Sequence, residues 1–210
     1  MSHDTIIHRA VRPAMRVVAK TPITPNHLTV LRFITGVPAA LCFARERIVV
    51  GSLIFLFSAF LDRADGELAR QTQKFSEHGH RYDLIADCSA GALAFIGLGM
   101  GASNGALGTA ALVLGVLAGI GVALLFWGIN IRQIYTLPRE HGRRLLVDPD
   151  DGMFLLPPLL WCAGAESVLL LAGSVTPLLA ATMLWLLWRS RRPRHAIRAC
   201  RSGGNSITRH

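Results

Sequence analysis

The sequence predicts an all-α integral membrane protein with six transmembrane helices preceded by an amphipathic interfacial helix. Of its 210 residues, 51% are hydrophobic, and the mean hydropathy is positive, at +0.41. Residues 88–131 contain no Asp, Glu, Lys or Arg, which is room for two helical spans of about 20 residues each. The net charge of +9 is concentrated before the first apolar run and after the last, as expected of cytoplasmic flanks.

Residues 1–25 are predicted to be an amphipathic juxtamembrane segment. Between residues 5 and 19, arginines spaced three and four apart fall on one face of a helix whose other positions are rich in Ile, Val and Met. This pattern is typical of a helix that lies in the membrane interface, with Pro13 as a candidate break or kink. The arginines are Arg9, Arg12 and Arg16. Thr24 and Pro25 then mark the start of the next helix.

Residues 26–188 are predicted to form a six-helix membrane domain, followed by a basic cytoplasmic tail over 189–210. The second span is shorter than a full membrane crossing, so its inner end must leave the bilayer near Asp62. Glu166 and Ser167 divide the last two spans, with Gly173 and Ser174 as an alternative division. The spans are placed at 26–44, 48–61, 82–102, 107–131, 152–165 and 167–188.

Six spans put both termini on one side of the membrane, which the basic flanks identify as cytoplasmic. The connections at 45–47, 103–105 and 166–167 then face outwards, and the aspartates described next face the cytoplasm. We therefore expect a multi-pass protein of the cell (inner or plasma) membrane. Nucleic acid is not expected as a partner, because basic flanks beside membrane spans are attracted to anionic lipid head groups.

Four aspartates lie where the second span ends and the third begins. Asp62 and Asp65 are three residues apart, and Asp83 and Asp87 four apart, so each pair shares one face of a helix. If the two spans are neighbours, the four carboxylates converge, and like charges that close raise one another's pKa values unless cations neutralise them. Hard divalent cations, Mg²⁺ or Mn²⁺, are the natural partners. Two of them would suit a diphosphate substrate.

Residues close to the aspartates could contact such a substrate. Arg70 lies two turns after Asp62 and could hold a phosphate oxygen. Gly66 and Gly79 would allow a base or a phosphate to approach closely.

Other charged residues near this stretch are interpreted as ordinary features of a membrane protein. Arg32, inside the first span, is expected to snorkel to the cytoplasmic interface or to contact a phosphate there. Glu67 and Glu77 are expected to lie on the surface. Glycines spaced by four in the third and fourth spans permit close helix approach, within one chain or between two.

The spacing of the aspartate stretch has a recognisable pattern. Written with its gaps, it is Asp62-x2-Asp65-Gly66-x2-Ala69-Arg70-x8-Gly79-x3-Asp83-x3-Asp87. At every fixed position it resembles the signature of the CDP-alcohol phosphatidyltransferase family. The six spans, the preceding amphipathic helix and the Pro25-Asn26-x-Leu28-Thr29 stretch are similar to that family as well.

The resemblance implies a transferase of phospholipid biosynthesis. It would move a phosphatidyl group from a CDP-linked lipid, such as CDP-diacylglycerol, to the hydroxyl of an alcohol and release CMP. The resemblance also implies that Asp87 takes the proton from that hydroxyl and that the protein is a homodimer. The implied ligands of two divalent cations are Asp62, Asp65, Asp83 and Asp87. The implied donor contacts are Gly66, Arg70, Ser76 and Gly79, with an ordinary helix cap as the rival role for Ser76.

The acceptor is indicated by weaker signals. A basic cluster near the expected cytoplasmic opening could bind a phosphorylated polyol, such as glycerol 3-phosphate or an inositol phosphate, or could be the positive charge of a cytoplasmic loop. The cluster is Arg132, Arg139, Arg143 and Arg144. Glycerophosphate-transferring members of the family usually have a proline after the third aspartate and a lysine after the fourth. Leu84 and Cys88 stand there in this chain.

Two alternative functions stay open at this point. One is a membrane cation transporter or channel whose path is formed by the carboxylates. The clustering of the acidic residues at one membrane face argues against it. The other is a family member whose donor is a soluble CDP-alcohol rather than a CDP-linked lipid.

Overall fold

The computed structural model describes residues 6–73, 77–132 and 149–190, and every regular element in these ranges is helical. The all-α prediction is confirmed. The helices are α1 Ile6–Val18, α2 Pro25–Ala44, α3 Ile48–Thr72, α4 Glu77–Ala102, α5 Thr109–Arg132 and α6 Leu156–Ser190, with a 3-10 helix, Pro149–Leu155, before α6.

Long apolar helices identify the chain as a membrane protein. In the described residues, four segments are long and apolar enough to cross a bilayer: 25–44, 85–102, 109–128 and 152–189. Helix α3 is apolar only as far as Leu61, and the last segment is a single run of 38 residues. The count of six spans therefore stays a prediction, as does the placement of α1 in the membrane interface.

Several helix boundaries differ from those of the predicted spans. Helix α4 begins at Glu77, before the predicted start of the third span at residue 82, and its long apolar segment covers 85–102. The break between the last two predicted spans falls at Gly164 (φ 78°, ψ 162°) rather than at 166–167, because glycine adopts a positive φ without the steric cost of a Cβ. Helix α1 continues through Pro13 without ending there.

Helix α2 lies between α3 and α4 and packs against both, while α5 covers α4 and α6 covers α5. Glycines make these approaches possible. A Cβ on Gly97 of α4 would overlap the carbonyl oxygen of Ala40 in α2, and a Cβ on Gly115 of α5 would stand 2.9 Å from the Cα of Gly99. The predicted close approach therefore occurs within one chain, so these glycines are no argument for a dimer.

Gly97→Ala is expected to destabilise the protein by about 1–3 kcal/mol, because the added methyl group would meet backbone of α2, which cannot rotate aside. Thermal unfolding in detergent measures the effect. Gly152→Ala is the matched control, since its added Cβ would have no atom of the described chain within 4 Å. Equal melting temperatures for the two variants would contradict this account of the α2–α4 contact.

The three connections predicted to share one side do lie together at one end of the bundle. Nδ2 of Asn104 donates to Oε1 of Glu46 at 2.9 Å, and the backbone N–H of Ala106 donates to Oε1 of Glu166 at 2.9 Å. Helix α3 begins and α4 ends at this end. The aspartates of α3 and α4 consequently lie toward the opposite end of the bundle.

Candidate active site

Arg32 of α2 joins two of the motif aspartates. Its Nη1 lies 2.5 Å from Oδ1 of Asp62 on α3, and its Nη2 contacts Oδ1 of Asp87 on α4. The planar guanidinium presents several donors in a fixed fork, which suits two carboxylates at once. The side chain is only 3% exposed. The expectation that Arg32 snorkels to the interface is therefore wrong, because its charge is neutralised inside the helix bundle.

The two helices that carry the aspartate pairs are not a packed pair in the described part of the chain, since α2 separates them. Asp62 and Asp87 nevertheless converge, because Arg32 reaches both. A signal for this role was present in the sequence. Arg32 is the only Asp, Glu, Lys or Arg between Lys20 and Arg45, and a lone charge within a membrane span is usually paired.

Thr29, one turn before Arg32, holds the second motif aspartate by donating its hydroxyl to Oδ2 of Asp65 at 2.8 Å. Asp65 is 5% exposed and lies beyond Leu61, where the apolar part of α3 ends. Burial and then the charge of Asp62 raise the pKa of Asp65 to about 7, although the Thr29 hydrogen bond and the charge of Arg32 oppose the rise. Burial of the carboxylate is thus the main reason why this pKa is raised.

The donor set fits hard divalent cations. Asp62, Asp65 and Asp87 offer carboxylate oxygens, the ligands that Mg²⁺ and Mn²⁺ prefer, and a bound cation would oppose the rise in the pKa of Asp65. Among the described side chains, no three His, Cys, Asp or Glu already surround one ion position. Asp83 lies one turn before Asp87 on α4, and its side chain is outside the described part. These four residues would hold the cations.

Two predicted donor contacts, Gly66 and Arg70, lie next to each other on α3. A Cβ on Gly66 would stand 3.9 Å from Nη2 of Arg70, while Nε of Arg70 lies 3.3 Å from Oε2 of Glu67. The expectation that Glu67 is a surface residue is wrong, because Nε of Arg12 in α1 donates to its other oxygen, Oε1, at 3.2 Å. Burial raises the pKa of Glu67, but a hydrogen bond from Gln71 and the charges of Arg70 and Arg12 lower it below its usual value.

The remaining predicted site residues are placed only in part. Gly79 lies in the first turn of α4. Arg132 is the last residue of α5, which runs antiparallel to α4, since Cys88 donates to the carbonyl of Ala123 while Gly99 meets Gly115. The end of α5 is therefore at the aspartate end of the bundle. Outside the described residues lie Ser76, Arg139, Arg143, Arg144 and the side chain of Arg132.

A narrow cleft opens beside the carboxylates, with room for about one water molecule. One part of its wall is polar. The other part is apolar and is contributed by α3, α4 and the 3-10 helix. The polar residues are Arg32, Ser58 and Asp62, and the apolar ones are Phe55, Ala59, Ala90, Met153 and Phe154. Charged and apolar side chains thus meet beside Asp62.

Comparison with known proteins gives a family and a fold. The sequence model of the CDP-alcohol phosphatidyltransferase family matches residues 22–189. The archaetidylinositol phosphate synthase of Pyrococcus horikoshii is 34% identical over 86 residues, which are 41% of this chain and 46% of that protein. The bifunctional IPC transferase and DIPP synthase of Archaeoglobus fulgidus is 32% identical over 81 residues, 39% of this chain and 16% of that protein. The chain thus spans less than half the length of either curated relative.

Among solved structures, the phosphatidylinositol phosphate synthase of Mycobacterium tuberculosis, with CDP-DAG bound, aligns with a TM-score of 0.62. The alignment covers 84% of this chain and 94% of that one at 17% sequence identity. At that identity the likeness concerns the fold alone, and it shows that the helical arrangement described above is shared.

Proposed function

This chain belongs to the CDP-alcohol phosphatidyltransferase family, and we propose on that premise that it moves a phosphatidyl-type group from a CDP-linked lipid to the hydroxyl of an alcohol, releasing CMP. The observation that carries the proposal is the convergence of Asp62 and Asp87 on Arg32, with the buried Asp65 beside them. Phosphoryl transfer depends mostly on positioning and on neutralising charge, and this cluster offers both.

Asp87 is the proposed general base. Arg32 holds its Oδ1, which fixes the orientation of the carboxylate. Asp87 takes the proton from the acceptor hydroxyl as that oxygen attacks the phosphorus bearing the lipid. The bond from this phosphorus to the phosphate oxygen of CMP breaks, and CMP leaves.

The donor diphosphate is proposed to lie across the carboxylate cluster and the face of α3 that carries Gly66 and Arg70. Arg70 donates to a phosphate oxygen, and the missing side chain of Gly66 leaves room for it. When two divalent cations are bound, they neutralise the diphosphate and stabilise the leaving CMP. The proposed ligands are Asp62, Asp65, Asp83 and Asp87, and Ser76 and Gly79 complete the proposed donor contacts.

CDP-diacylglycerol is the proposed donor. Charged and apolar side chains meet beside Asp62, as a lipid with a diphosphate head requires. The Mycobacterium tuberculosis protein of the same fold was solved with CDP-DAG bound. Comparing this lipid with soluble CDP-alcohols as donors tests the choice.

An inositol phosphate is the proposed acceptor. The relatives named above include an archaetidylinositol phosphate synthase, and Leu84 and Cys88 stand where glycerophosphate-transferring members usually have proline and lysine. The phosphate of the acceptor would be bound by the basic cluster of Arg132, Arg139, Arg143 and Arg144. Glycerol 3-phosphate is the competing acceptor in the same assay.

We also propose that the active site and both termini are cytoplasmic and that the protein is a homodimer in the cell membrane. The orientation is supported by the basic residues at both ends of the chain. The dimer is supported by what is usual in the family.

Chelation is expected to stop the reaction. CMP release by the purified protein with CDP-diacylglycerol and an inositol phosphate should fall more than about a hundredfold with EDTA, and Mg²⁺ or Mn²⁺ should restore it. The carboxylate cluster cannot accept a diphosphate without cations, because the like charges repel. Product mass identifies the acceptor. If no combination of donor, acceptor and metal yields CMP, the proposed function is wrong.

A further inference from the structure

Glu67 lies inside the aspartate motif, yet neither cation binding nor proton transfer uses it. Its side chain is 6% exposed, and a buried carboxylate is costly unless it is paired. Its partners come from two helices. Oε1 accepts from Nε of Arg12 at 3.2 Å and from Nε2 of Gln71 at 3.0 Å, and Oε2 lies 3.3 Å from Nε of Arg70. The carboxylate therefore connects α1 to the predicted donor face of α3.

Helix α1 packs against α3 beside Glu67. Val11 and Met15 are buried against Ala64 and Leu68 of α3. Nε2 of Gln71 also donates to the backbone carbonyl of Arg12 at 3.4 Å. The position of the Arg12 guanidinium is thus set by the docking of α1 on α3.

The contact with Glu67 orients the guanidinium of Arg70. Glu67 lies at the Nε atom of the guanidinium, whereas Nη2 lies 3.9 Å from where a Cβ of Gly66 would stand. A guanidinium is planar and its donors have fixed directions. When Glu67 holds Nε, the direction of the two Nη atoms is therefore fixed as well. The Nη atoms lie on the side of Gly66, where the donor diphosphate is proposed to bind.

We propose that Glu67 is a positioning residue for the CDP-linked donor: it orients Arg70 beside Gly66 and is itself held by Arg12, so that the docking of α1 sets the affinity for the donor. The inference rests on the proposed function, because it takes Arg70 as a contact of the donor phosphate. Helix α1 is in this way part of the donor site without touching the donor.

The test separates donor affinity from turnover in CMP release by the full chain. Glu67→Gln keeps the size of the side chain and removes its charge, and it is expected to raise the KM for CDP-diacylglycerol about tenfold while kcat stays within about threefold. The affinity for CMP, measured by calorimetry with Mg²⁺, should fall by a similar factor. In an Arg70→Gln background, Glu67→Gln should have no further effect on donor KM, because the two residues act as one unit.

Helix α1 offers a test position and a matched control. Arg12 contacts Glu67, whereas Arg16, one turn later, is exposed. Arg12→Gln is expected to raise donor KM, and Arg16→Gln to leave it unchanged. Should Glu67→Gln fail to fold, Arg12→Gln tests the same link.

Three results would overturn the inference. An unchanged donor KM in Glu67→Gln or in Arg12→Gln, with CMP release intact, overturns the positioning role and leaves the proposed function standing. Additive effects of Glu67→Gln and Arg70→Gln on the donor KM also overturn the positioning role and leave the proposed function standing. A wild-type protein that neither releases nor binds CMP overturns the proposed function and this inference with it.

Discussion

Asp87→Asn is expected to lower CMP release by about 10²–10⁴-fold, because the amide cannot take the proton from the acceptor hydroxyl. The change also removes the negative charge that pairs with Arg32 and with the proposed cations. Initial rates of CMP release, with CDP-diacylglycerol and acceptor at saturating concentrations, measure the effect on turnover. The variant should remain folded, since asparagine has almost the same shape and Arg32 keeps its contact with Asp62.

Glu166→Gln is the matched control, an acid-to-amide change at the opposite end of the bundle. Glu166 accepts a hydrogen bond from the backbone of Ala106, and a glutamine oxygen can accept the same bond. This variant should release CMP at the wild-type rate. Asp87→Asn with more than a tenth of the wild-type rate would exclude Asp87 as the base.

Arg32→Met is expected to destabilise the metal-free protein by about 3–5 kcal/mol. Asp62 and Asp87 would lose the guanidinium that pairs with both, and the methionine would leave these carboxylates in largely buried surroundings without that positive charge. The melting temperature in detergent with EDTA measures the loss. Added Mn²⁺ should recover part of it, because the cation supplies the positive charge that the variant lacks.

Arg16→Met, on the exposed face of α1, makes the same chemical change away from the carboxylates and should leave stability unchanged. Arg32→Lys should fall between wild type and Arg32→Met, since an ammonium keeps the charge but lacks the fork that reaches two carboxylates. A melting temperature for Arg32→Met equal to that of Arg16→Met would show that the Arg32 contacts do not stabilise the fold.

Local signals in the sequence predicted the elements well. Thr24 and Pro25 mark the beginning of α2, where the backbone N–H of Thr24 donates to Nδ1 of His27 at 3.3 Å. The apolar run from residue 48 continues as one helix through Asp62 and Asp65, as expected. These features depend on residues within a few turns of one another, where helix caps and side-chain spacing act.

The residues that the sequence interpretation misplaced all depend on distant partners. Arg32 meets Asp62, 30 residues away, and Glu67 meets Arg12, 55 residues away. A charged residue read alone resembles a snorkelling or solvated one, because its partner is supplied by a different helix. The last apolar run was divided two residues after the break at Gly164, since composition alone marks such a break only roughly.

The sequence by itself determined that this is an all-helical protein with membrane-length apolar helices, and it predicted a site in residues 62–87, because apolar length and the spacing of carboxylates are properties of contiguous chain. Only the tertiary structure decided how the site is assembled. Helix α2 inserts between the two aspartate-bearing helices, so a buried arginine joins Asp62 to Asp87. The physical reason is that a buried charge must find its counter-charge across the packing of helices, and that packing is set by contacts between residues far apart in the chain.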